Sequence, residues 1–200
     1  MEHGFGTRHT LWDAAGRLAW ARQLHSSRCL DVMAPGHAGD GDALVTNRPG
    51  LLLGVRTADC LPVLMADSTH KAVAAIHAGW RGLVAGVLLR TVEAMAERFG
   101  SRPASLVAAI GPAIGPCCYD VGPEVARRFG ELFPERTDLT GRAHIDLSEA
   151  ARRQLVAAGV PAGQIWCVGL CTRCLSGEFY SWRREGPTAG RMLSVIGIRG

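Results

Sequence analysis

Two histidines and one cysteine have the residue types and local settings of a catalytic metal site. His25 follows Arg-Gln-Leu, Cys60 follows Thr-Ala-Asp, and His77 precedes Ala-Gly-Trp-Arg-Gly. A catalytic zinc ion usually takes three protein ligands and leaves one position open, and two imidazoles with one thiolate suit it. The three residues do not have the spacing of a local metal motif. From the residues alone, Cys60 can equally be a buried thiol and His77 a hydrogen-bonded core histidine.

Three further polar residues lie beside these or beside predicted helix starts. Asp59 directly precedes Cys60, where a carboxylate can hydrogen-bond a metal ligand. Arg81 follows Trp80 near a helix N-terminus, which suits an anion such as phosphate, although a solvated arginine is the simpler interpretation. His144 precedes another predicted helix start, where it can contact substrate, support a ligand or belong to the capping region.

The cysteines show no framework of disulfide bridges. The chain has seven, an odd number, at positions 29, 60, 117, 118, 167, 171 and 174. A reducing compartment therefore suits them. Cys171 and Cys174 have the spacing of half a zinc ribbon or of a redox pair, but no second such pair exists. The adjacent Cys117 and Cys118 are not expected to point the same way. We predict that the six cysteines other than Cys60 mainly serve packing.

Alternating strands and helices must position these residues. An apolar spacing of three and four predicts a helix over 81–99 that ends at Gly100. Further helices are predicted over 123–133 and, capped by Ser148, over 148–158. The class is therefore α/β or α+β, with a mixed sheet and outer helices. Short apolar runs predict buried strands at 51–55, 61–66, 73–77, 106–110, 165–170 and 192–198.

Composition and charge exclude several classes of protein. A chain of 200 residues with 48% hydrophobic residues is neither disordered, fibrous nor a disulfide scaffold. No apolar run approaches the roughly 18 residues of a membrane span, and the start has no apolar export segment, so we expect a soluble, cytoplasmic protein without a membrane partner. The sequence leaves the oligomeric state open, with a monomer favoured. The net charge of +4 is spread along the chain without a basic run. Nucleic acid is therefore not an expected partner.

Several motifs in chain order resemble the YfiH-type laccase-domain family. They read Thr-Ala-Asp-Cys-Leu-Pro-Val from position 57, Ala-Ile-His-Ala-Gly-Trp-Arg-Gly from 75, Ile-Gly-Pro-Ala-Ile-Gly-Pro-Cys-Cys-Tyr from 110, His-Ile-Asp-Leu from 144, Phe-Tyr-Ser-Trp-Arg-Arg from 179 and Thr-Ala-Gly-Arg from 188. The motifs extend over most of the chain, and the first two together are specific. The resemblance implies a YfiH-like fold over 1–200, in which mixed sheet layers are flanked by helices.

The resemblance also implies a metal and an activity. In this family zinc is held by the histidine of a Gln-Val-His-Gly motif, the cysteine of Ala-Asp-Cys and the histidine of His-Ala-Gly-Trp. The corresponding residues here are His25, Cys60 and His77, although positions 23–26 read Gln-Leu-His-Ser. The implied function is a zinc-dependent purine nucleoside phosphorylase that splits adenosine, inosine, guanosine or methylthioadenosine with phosphate, together with adenosine deamination.

The resemblance leads to specific residue roles. The expected catalytic residues are Cys60, His77, Asp59 and Arg81. The expected phosphate-binding and substrate-binding residues are Arg8, Arg81 and His144. Family members usually carry a longer stretch before the first histidine, whereas His25 here follows Arg8 by seventeen positions. We therefore expect a shortened N-terminal segment, 1–25, and an altered pocket wall.

Three other functions compete with this one. Cys60 as a nucleophile and His77 as its base would give an amide hydrolase acting on a cell-wall precursor. A copper oxidase is disfavoured, because seven histidines without a His-x-His pair are too few for a multicopper cluster. A non-catalytic metal-binding domain is the third alternative.

Overall fold

The apolar runs of the chain form the central strands of two sheets, and the amphipathic segments form helices on one side of them. The structure is a computed structural model that describes residues 1–200. Its helices are α1 (Trp80–Val84), α2 (Val87–Phe99), α3 (Pro123–Arg127), α4 (Leu147–Ala157) and α5 (Trp182–Glu185). Its strands are β1 (Glu2–Phe5), β2 (Leu18–Arg22), β3 (Cys29–Asp31), β4 (Gly36–Asp40), β5 (Ala43–Thr46), β6 (Leu52–Thr57), β7 (Leu61–Asp67), β8 (Ala72–Ala78), β9 (Val107–Ile110), β10 (Asp120–Val121), β11 (Ala143–His144), β12 (Ile165–Cys167) and β13 (Met192–Gly197).

The strands form two large mixed sheets and one small hairpin-like pair. One sheet has the order β1-β13-β6-β2-β4, and the other has the order β12-β9-β7-β8-β5-β3. In the first sheet β2 runs parallel to β4 and β6, while in the second the parallel pairs are β3 with β5 and β9 with β12. The remaining neighbours are antiparallel. The fold class is therefore mixed α+β, as the sequence predicts.

The interior consists of two apolar layers. Leu53 and Leu64 belong to the layer between the two sheets, whereas Val63 and Leu88 belong to the layer between the six-stranded sheet and the helices. Since successive side chains of a strand point to opposite faces, β7 contributes to both layers. Burial on both faces explains why β7 and β8 are almost continuously apolar in the sequence.

The predicted helix over 81–99 is divided in two. Gly86 adopts a left-handed conformation, with φ of 79°, between α1 and α2, and Gly100 ends α2 in the same conformation with φ of 71°. The carboxylate of Asp146, rather than Ser148, caps α4 by accepting the backbone N–H of Glu149 at 3.0 Å. The helix predicted over 123–133 ends early, at Arg127, which is the last residue of α3.

The strands of the first fifty residues are absent from the sequence-based prediction. Strands β1 to β4 are short and only partly apolar, and the fully buried β5 has only four residues, so none of them shows a clear period of two. Pairing with β6, β8 and β13 stabilises these strands, and the local sequence pattern does not reveal this pairing. None of the helices has the length and apolar character that crossing a membrane would require.

Candidate active site

The antiparallel pairing of β7 and β8 brings Cys60 and His77 together. Pro62 pairs with His77 and Leu61 pairs with Ala78, so Cys60, directly before β7, lies beside the end of β8. The turn between the two strands lies at the far end of the pair. A residue that precedes one strand of a hairpin thus meets a residue that ends the other.

His25 completes this group from the other sheet. It follows β2, and its Nε2 atom lies 3.7 Å from Cys60 Sγ. The His25 and His77 rings meet edge to face, with centroids 4.8 Å apart. One ligand atom from each of the three residues lies within 4.8 Å of the others. The structure thus assembles the three predicted metal-site residues around one point.

Asp42, a buried residue between β4 and β5, organises both histidines. Its Oδ1 atom accepts a hydrogen bond from His77 Nδ1 at 2.8 Å and from the backbone N–H of His25 at 2.9 Å. Its Oδ2 atom accepts from the backbone N–H groups of Leu24 and Ser26, and from the Ser26 hydroxyl at 2.6 Å. The serine that replaces the glycine of the family motif therefore contributes an extra hydrogen bond to this carboxylate.

Two residues of the site have backbone conformations that side chains rarely adopt. His25 has φ of 59° and Asp59 has φ of 79°, and the only other non-glycine residue with positive φ is Lys71, in the turn between β7 and β8. Such conformations cost roughly 1–3 kcal/mol each and persist where surrounding contacts enforce them. The three backbone N–H bonds to Asp42 provide that enforcement at His25.

The charges of the group favour a thiolate. Burial would raise the pKa of Cys60, but its contacts with His25 and His77 lower the pKa to about 6. Burial would likewise lower the pKa of His77, but Asp42 and Cys60 raise it to about 9. Burial opposes ionisation of Asp42 as well, yet the hydrogen bonds from His77 and Ser26 hold its pKa below the ordinary range.

This donor set fits a divalent metal ion. A thiolate and two imidazoles are the borderline-soft ligands that zinc and copper prefer. The Nδ1–H bond to Asp42 leaves Nε2 of His77 as the ligand atom, which is the usual arrangement of a metal-bound histidine. Gly79 keeps the space clear, because a Cβ atom there would lie 2.8 Å from His25 Cδ2 and 3.0 Å from Cys60 Sγ.

The three residues line the wall of a cavity of about 720 Å³. This volume lies within the range of small-molecule sites, roughly 300–1,000 Å³. Four arginines and one acidic residue, Asp59, line the same cavity, so its charge is predominantly positive. Those arginines are Arg56, Arg81, Arg183 and Arg191.

Aromatic rings accompany three of these arginines. The Arg81 guanidinium lies 4.4 Å from the Trp80 ring centroid, and Arg191 lies 5.3 Å from that of Trp182. Arg183 lies 5.4 Å from the ring of Tyr119. All three aromatic residues line the cavity. The cavity therefore offers flat apolar surfaces and positive charge side by side.

Asp59 binds the cavity wall rather than a metal ligand. Its Oδ1 atom accepts from the Thr172 hydroxyl at 2.7 Å, and its Oδ2 atom accepts from the backbone N–H of Arg183 at 2.6 Å. The sequence-based interpretation gave Asp59 the hydrogen bond to a metal ligand. In the structure Asp42 makes that bond to His77.

Arg8 and His144, predicted to contact phosphate or substrate, lie outside the residues that line the cavity. Arg8 donates to the carbonyl of Ser176 at 2.5 Å and lies over the Tyr180 ring. His144 Nδ1 lies 2.6 Å from the carbonyl oxygen of Pro116. Arg81 does line the cavity, as do the predicted metal-site residues and Asp59.

Sequence reasoning missed Asp42 and three of the four cavity arginines. Arg183 and Arg191 lie in the Ser-Trp-Arg-Arg and Thr-Ala-Gly-Arg motifs, so the resemblance contained a signal for them. Arg56 and Asp42 lie in no such motif. Asp42 belongs to a Gly-Asp-Gly-Asp segment that reads as a turn, and only the tertiary structure identifies its role.

The prediction that the other cysteines serve packing is confirmed for Cys29 and Cys118, which pack against the core, and is wrong for the exposed Cys117, Cys167 and Cys174. None of the seven cysteines is fully buried, and Cys117 and Cys174 are exposed. The adjacent Cys117 and Cys118 do point to a common place, because their sulfurs lie 3.7 Å apart. The sulfurs of Cys117, Cys118, Cys171 and Cys174 form a second group whose atoms lie within 4.8 Å of one another.

Comparisons with known proteins identify the family of the chain and support its fold. Residues 7–199 match the family model described as multi-copper polyphenol oxidoreductase laccase. The chain is 47% identical over 163 residues to a purine nucleoside phosphorylase of Bacteroides thetaiotaomicron, covering 78% of this chain and 60% of that protein. It is 41% identical over 195 residues to adenosine deaminase RL5 of an unknown prokaryotic organism, covering 90% of this chain and 74% of the relative.

A solved structure shows the same fold. The Bacillus licheniformis hypothetical protein YfiH superposes with a TM-score of 0.84 at 36% identity, covering 91% of this chain and 74% of that one. The motifs that predict a YfiH-type protein are thus supported by family model, relatives and fold together. This chain belongs to the multi-copper polyphenol oxidoreductase laccase family, which is the YfiH-type family that its sequence motifs predict.

Proposed function

We propose that this chain is a zinc-dependent purine nucleoside phosphorylase. The observation that carries the proposal is the convergence of His25, Cys60 and His77 with four arginines and three aromatic rings in one cavity. Relatives named purine nucleoside phosphorylase and adenosine deaminase support this choice of chemistry. A reaction between a nucleoside and phosphate needs positive charge for the phosphate and flat apolar surfaces for the base. The cavity supplies both beside the candidate metal-binding residues.

The arginines bind the phosphate. Arg56 and Arg81 belong to none of the ion pairs of the chain, so their guanidinium groups are available to an anion in the cavity. Arg183 is fixed by its Nη1 bond to the Asp120 carbonyl at 3.0 Å. Guanidinium groups bind phosphate through paired, charge-assisted hydrogen bonds. A phosphate held here lies in the same cavity as the nucleoside that it attacks.

The aromatic residues bind the purine. Trp182 is 48% exposed and Tyr119 is buried, and both line the cavity. Base–aromatic stacking tolerates different bases because every base has a π-face. The site therefore accepts adenosine, inosine, guanosine or methylthioadenosine through a shared mode of binding.

The chain's residues stabilise the transition state by position and charge. Cleavage of the glycosidic bond develops positive charge on the ribose, and an anion held beside C1′ stabilises that charge more than it stabilises the substrate. Arg81 and Arg56 orient the phosphate, while Asp59 fixes the wall that carries Arg183. Zinc on His25, Cys60 and His77 would supply Lewis acidity at one open coordination position.

Adenosine deamination is a second activity that the same residues support. The relative named adenosine deaminase covers 90% of this chain, and the metal-binding group is the type of centre that hydrolytic deamination uses. Deamination would consume water rather than phosphate. The two activities are therefore separable by leaving phosphate out.

One observation favours a different second candidate, a thiol hydrolase that edits a cell-wall precursor. Cys60, His77 and Asp42 follow one another as a nucleophile, a base and the carboxylate that orients the base. Zinc would inhibit such an enzyme by occupying its thiolate. Metal dependence thus distinguishes the hydrolase from the phosphorylase.

Product analysis tests the proposal. The protein is incubated with inosine, with and without inorganic phosphate, and hypoxanthine and ribose 1-phosphate are measured by chromatography. We expect both products in equal amounts and only with phosphate. Hypoxanthine without phosphate, or no base release while a chelator-treated sample hydrolyses a muramoyl-peptide amide, would contradict the proposal. Inosine formed from adenosine without phosphate would report the deamination.

A further inference from the structure

A second cluster of sulfur atoms lies outside the cavity. Cys118 Sγ is 3.4 Å from Cys174 Sγ, and Cys117 Sγ is 3.7 Å from the sulfurs of both Cys118 and Cys174. Cys171 completes the cluster, with all four sulfurs within 4.8 Å of one another. No pair is joined by a disulfide.

These separations match a tetrahedral metal–thiolate centre. Zinc–sulfur bonds of about 2.3 Å put neighbouring sulfurs of a tetrahedron roughly 3.8 Å apart. A disulfide instead requires a sulfur–sulfur distance of about 2.05 Å. The spacing of the cluster is thus close to that of four ligands around one ion.

The backbone holds the cluster together from two distant segments. Ala113 and Cys171 form an isolated parallel bridge, and the N–H of Thr172 donates to the carbonyl of Ala113 at 2.9 Å. The N–H of Gly115 donates to Cys171 Sγ at 3.3 Å. A Cβ atom at Gly115 would lie 3.4 Å from Cys117 Sγ, so the chain approaches the sulfurs closely there. Hydrogen bonds to sulfur also occur in iron–sulfur clusters that cysteine thiolates hold.

The surroundings can offset part of the negative charge of such a centre, mainly through Arg183, because the nearby Arg184 already pairs with Glu185. Four thiolates and one divalent ion carry a net charge of −2. Arg184 Nη1 donates to the carbonyls of Thr172 and Arg173, and Arg183 Nη1 lies 3.5 Å from the carbonyl oxygen of Cys118. Two guanidinium groups therefore lie against the loops that carry the cysteines.

We propose that Cys117, Cys118, Cys171 and Cys174 form a second zinc site, closed by four thiolates. A closed four-ligand site has no open position, so its role is structural. It would fix the wall of the cavity, because Thr172, between two of its ligands, donates to Asp59 at 2.7 Å. The existence of this site does not depend on the proposed activity, which concerns the first metal group alone.

Zinc content under reducing conditions tests the proposal. The full chain is purified with a thiol reductant, loaded with Zn²⁺ alone, desalted and measured by elemental analysis. We expect two zinc ions per chain in the unaltered protein and one in the double variant Cys60→Ala/His77→Ala, which keeps the cluster. The double variant Cys117→Ser/Cys174→Ser should also retain one. Cys167→Ser, an exposed cysteine outside both groups, serves as the matched control with two.

X-ray absorption on the Cys60→Ala/His77→Ala variant identifies the ligands directly and does not depend on activity. We expect a single shell of four sulfurs at about 2.3 Å from zinc. Absence of zinc from this variant, a nitrogen or oxygen shell, or iron with acid-labile sulfide in place of zinc would overturn the proposal. Because this variant lacks the first metal group, failure here is distinguishable from failure of the proposed phosphorylase.

Discussion

His77 Nδ1 donates to Asp42 Oδ1 across 2.8 Å, and the same carboxylate accepts three backbone N–H groups from the segment that carries His25. One buried carboxylate therefore fixes the ring of one histidine of the candidate metal group and the backbone of the other. Two sheets that contribute different ligands are connected through Asp42. This arrangement explains how the candidate metal group assembles, although Cys60 lies 35 positions after His25 and His77 lies 17 positions after Cys60.

Replacing Asp42 should weaken metal binding. Asp42→Asn keeps the size of the side chain but removes its charge and leaves only one acceptor oxygen. The amide NH₂ must then face either His77 and the His25 N–H or the N–H groups of Leu24 and Ser26, all of which already donate. Zinc affinity at the first site should fall by about 10–100-fold, the usual effect of losing a partner of a ligand. A chelator competition measures it, with Asp40→Asn, in an exposed ion pair with Arg22, as the control. Equal affinity in both variants would contradict the role given to Asp42.

Adding one methyl group beside the ligands should also displace them. In Gly79→Ala the new Cβ would meet His25 Cδ2 at 2.8 Å, so the ring must move from its place. We expect zinc affinity at the first site and phosphorolysis to fall together. Gly122→Ala is the matched control, because Gly122 also precedes a helix, with φ and ψ of −71° and 166° against −72° and 168° at Gly79, and has open space around it. An unaffected Gly79→Ala enzyme would show that the ligands lie elsewhere.

Removal of one cavity arginine should raise the KM for phosphate. Arg81→Met keeps an apolar chain over Trp80 and removes a charged donor worth about 1.5–3 kcal/mol, which corresponds to a rise of about 10–100-fold. Steady-state kinetics at varied phosphate measure this change. Arg90→Met removes an exposed arginine that pairs with Glu93 on α2, and should leave the KM unchanged. A rise only in the KM for inosine would assign Arg81 to the nucleoside instead.

Removal of an aromatic side chain from the cavity wall should weaken binding of the nucleoside. Trp182→Ala removes a stacking surface worth about 1–3 kcal/mol, so the KM for inosine should rise by about 5–100-fold while that for phosphate changes little. Trp166→Ala supplies the control, since Trp166 is 58% exposed on β12 and lies outside the cavity. If both substitutions have the same effect, Trp182 does not contact the base.

The meeting of Cys60 with His77 could be predicted from the sequence, whereas the meeting of either with His25 could not. The apolar runs around the turn at 68–71 define an antiparallel pair, and its register follows from the turn. His25 arrives through parallel pairing of β2 with β4 and β6, which depends on contacts between distant segments. Its residue type and local setting mark His25 as a candidate, and the family resemblance assigns it to the metal group.

The four-cysteine cluster, like the position of His25, could not be predicted from the local sequence pattern. Adjacent cysteines in a strand would point to opposite faces, which is why Cys117 and Cys118 were expected to diverge. They lie instead in a turn between β9 and β10, where the backbone directs both sulfurs towards Cys174. The N–H groups of Cys118 and Tyr119 close the turn locally by donating to the Gly115 carbonyl, whereas its meeting with Cys171 and Cys174 involves the distant bridge between Ala113 and Cys171, which the local sequence does not signal.

The most direct test of the central claim compares zinc and phosphorolysis in one variant. Cys60→Ala is measured beside Cys29→Ala, whose cysteine lies outside both metal groups. We predict that Cys60→Ala loses one zinc per chain and all phosphate-dependent release of hypoxanthine from inosine, while Cys29→Ala keeps both. A Cys60→Ala protein that still splits inosine with phosphate after losing that zinc would contradict the claim that this site performs the reaction.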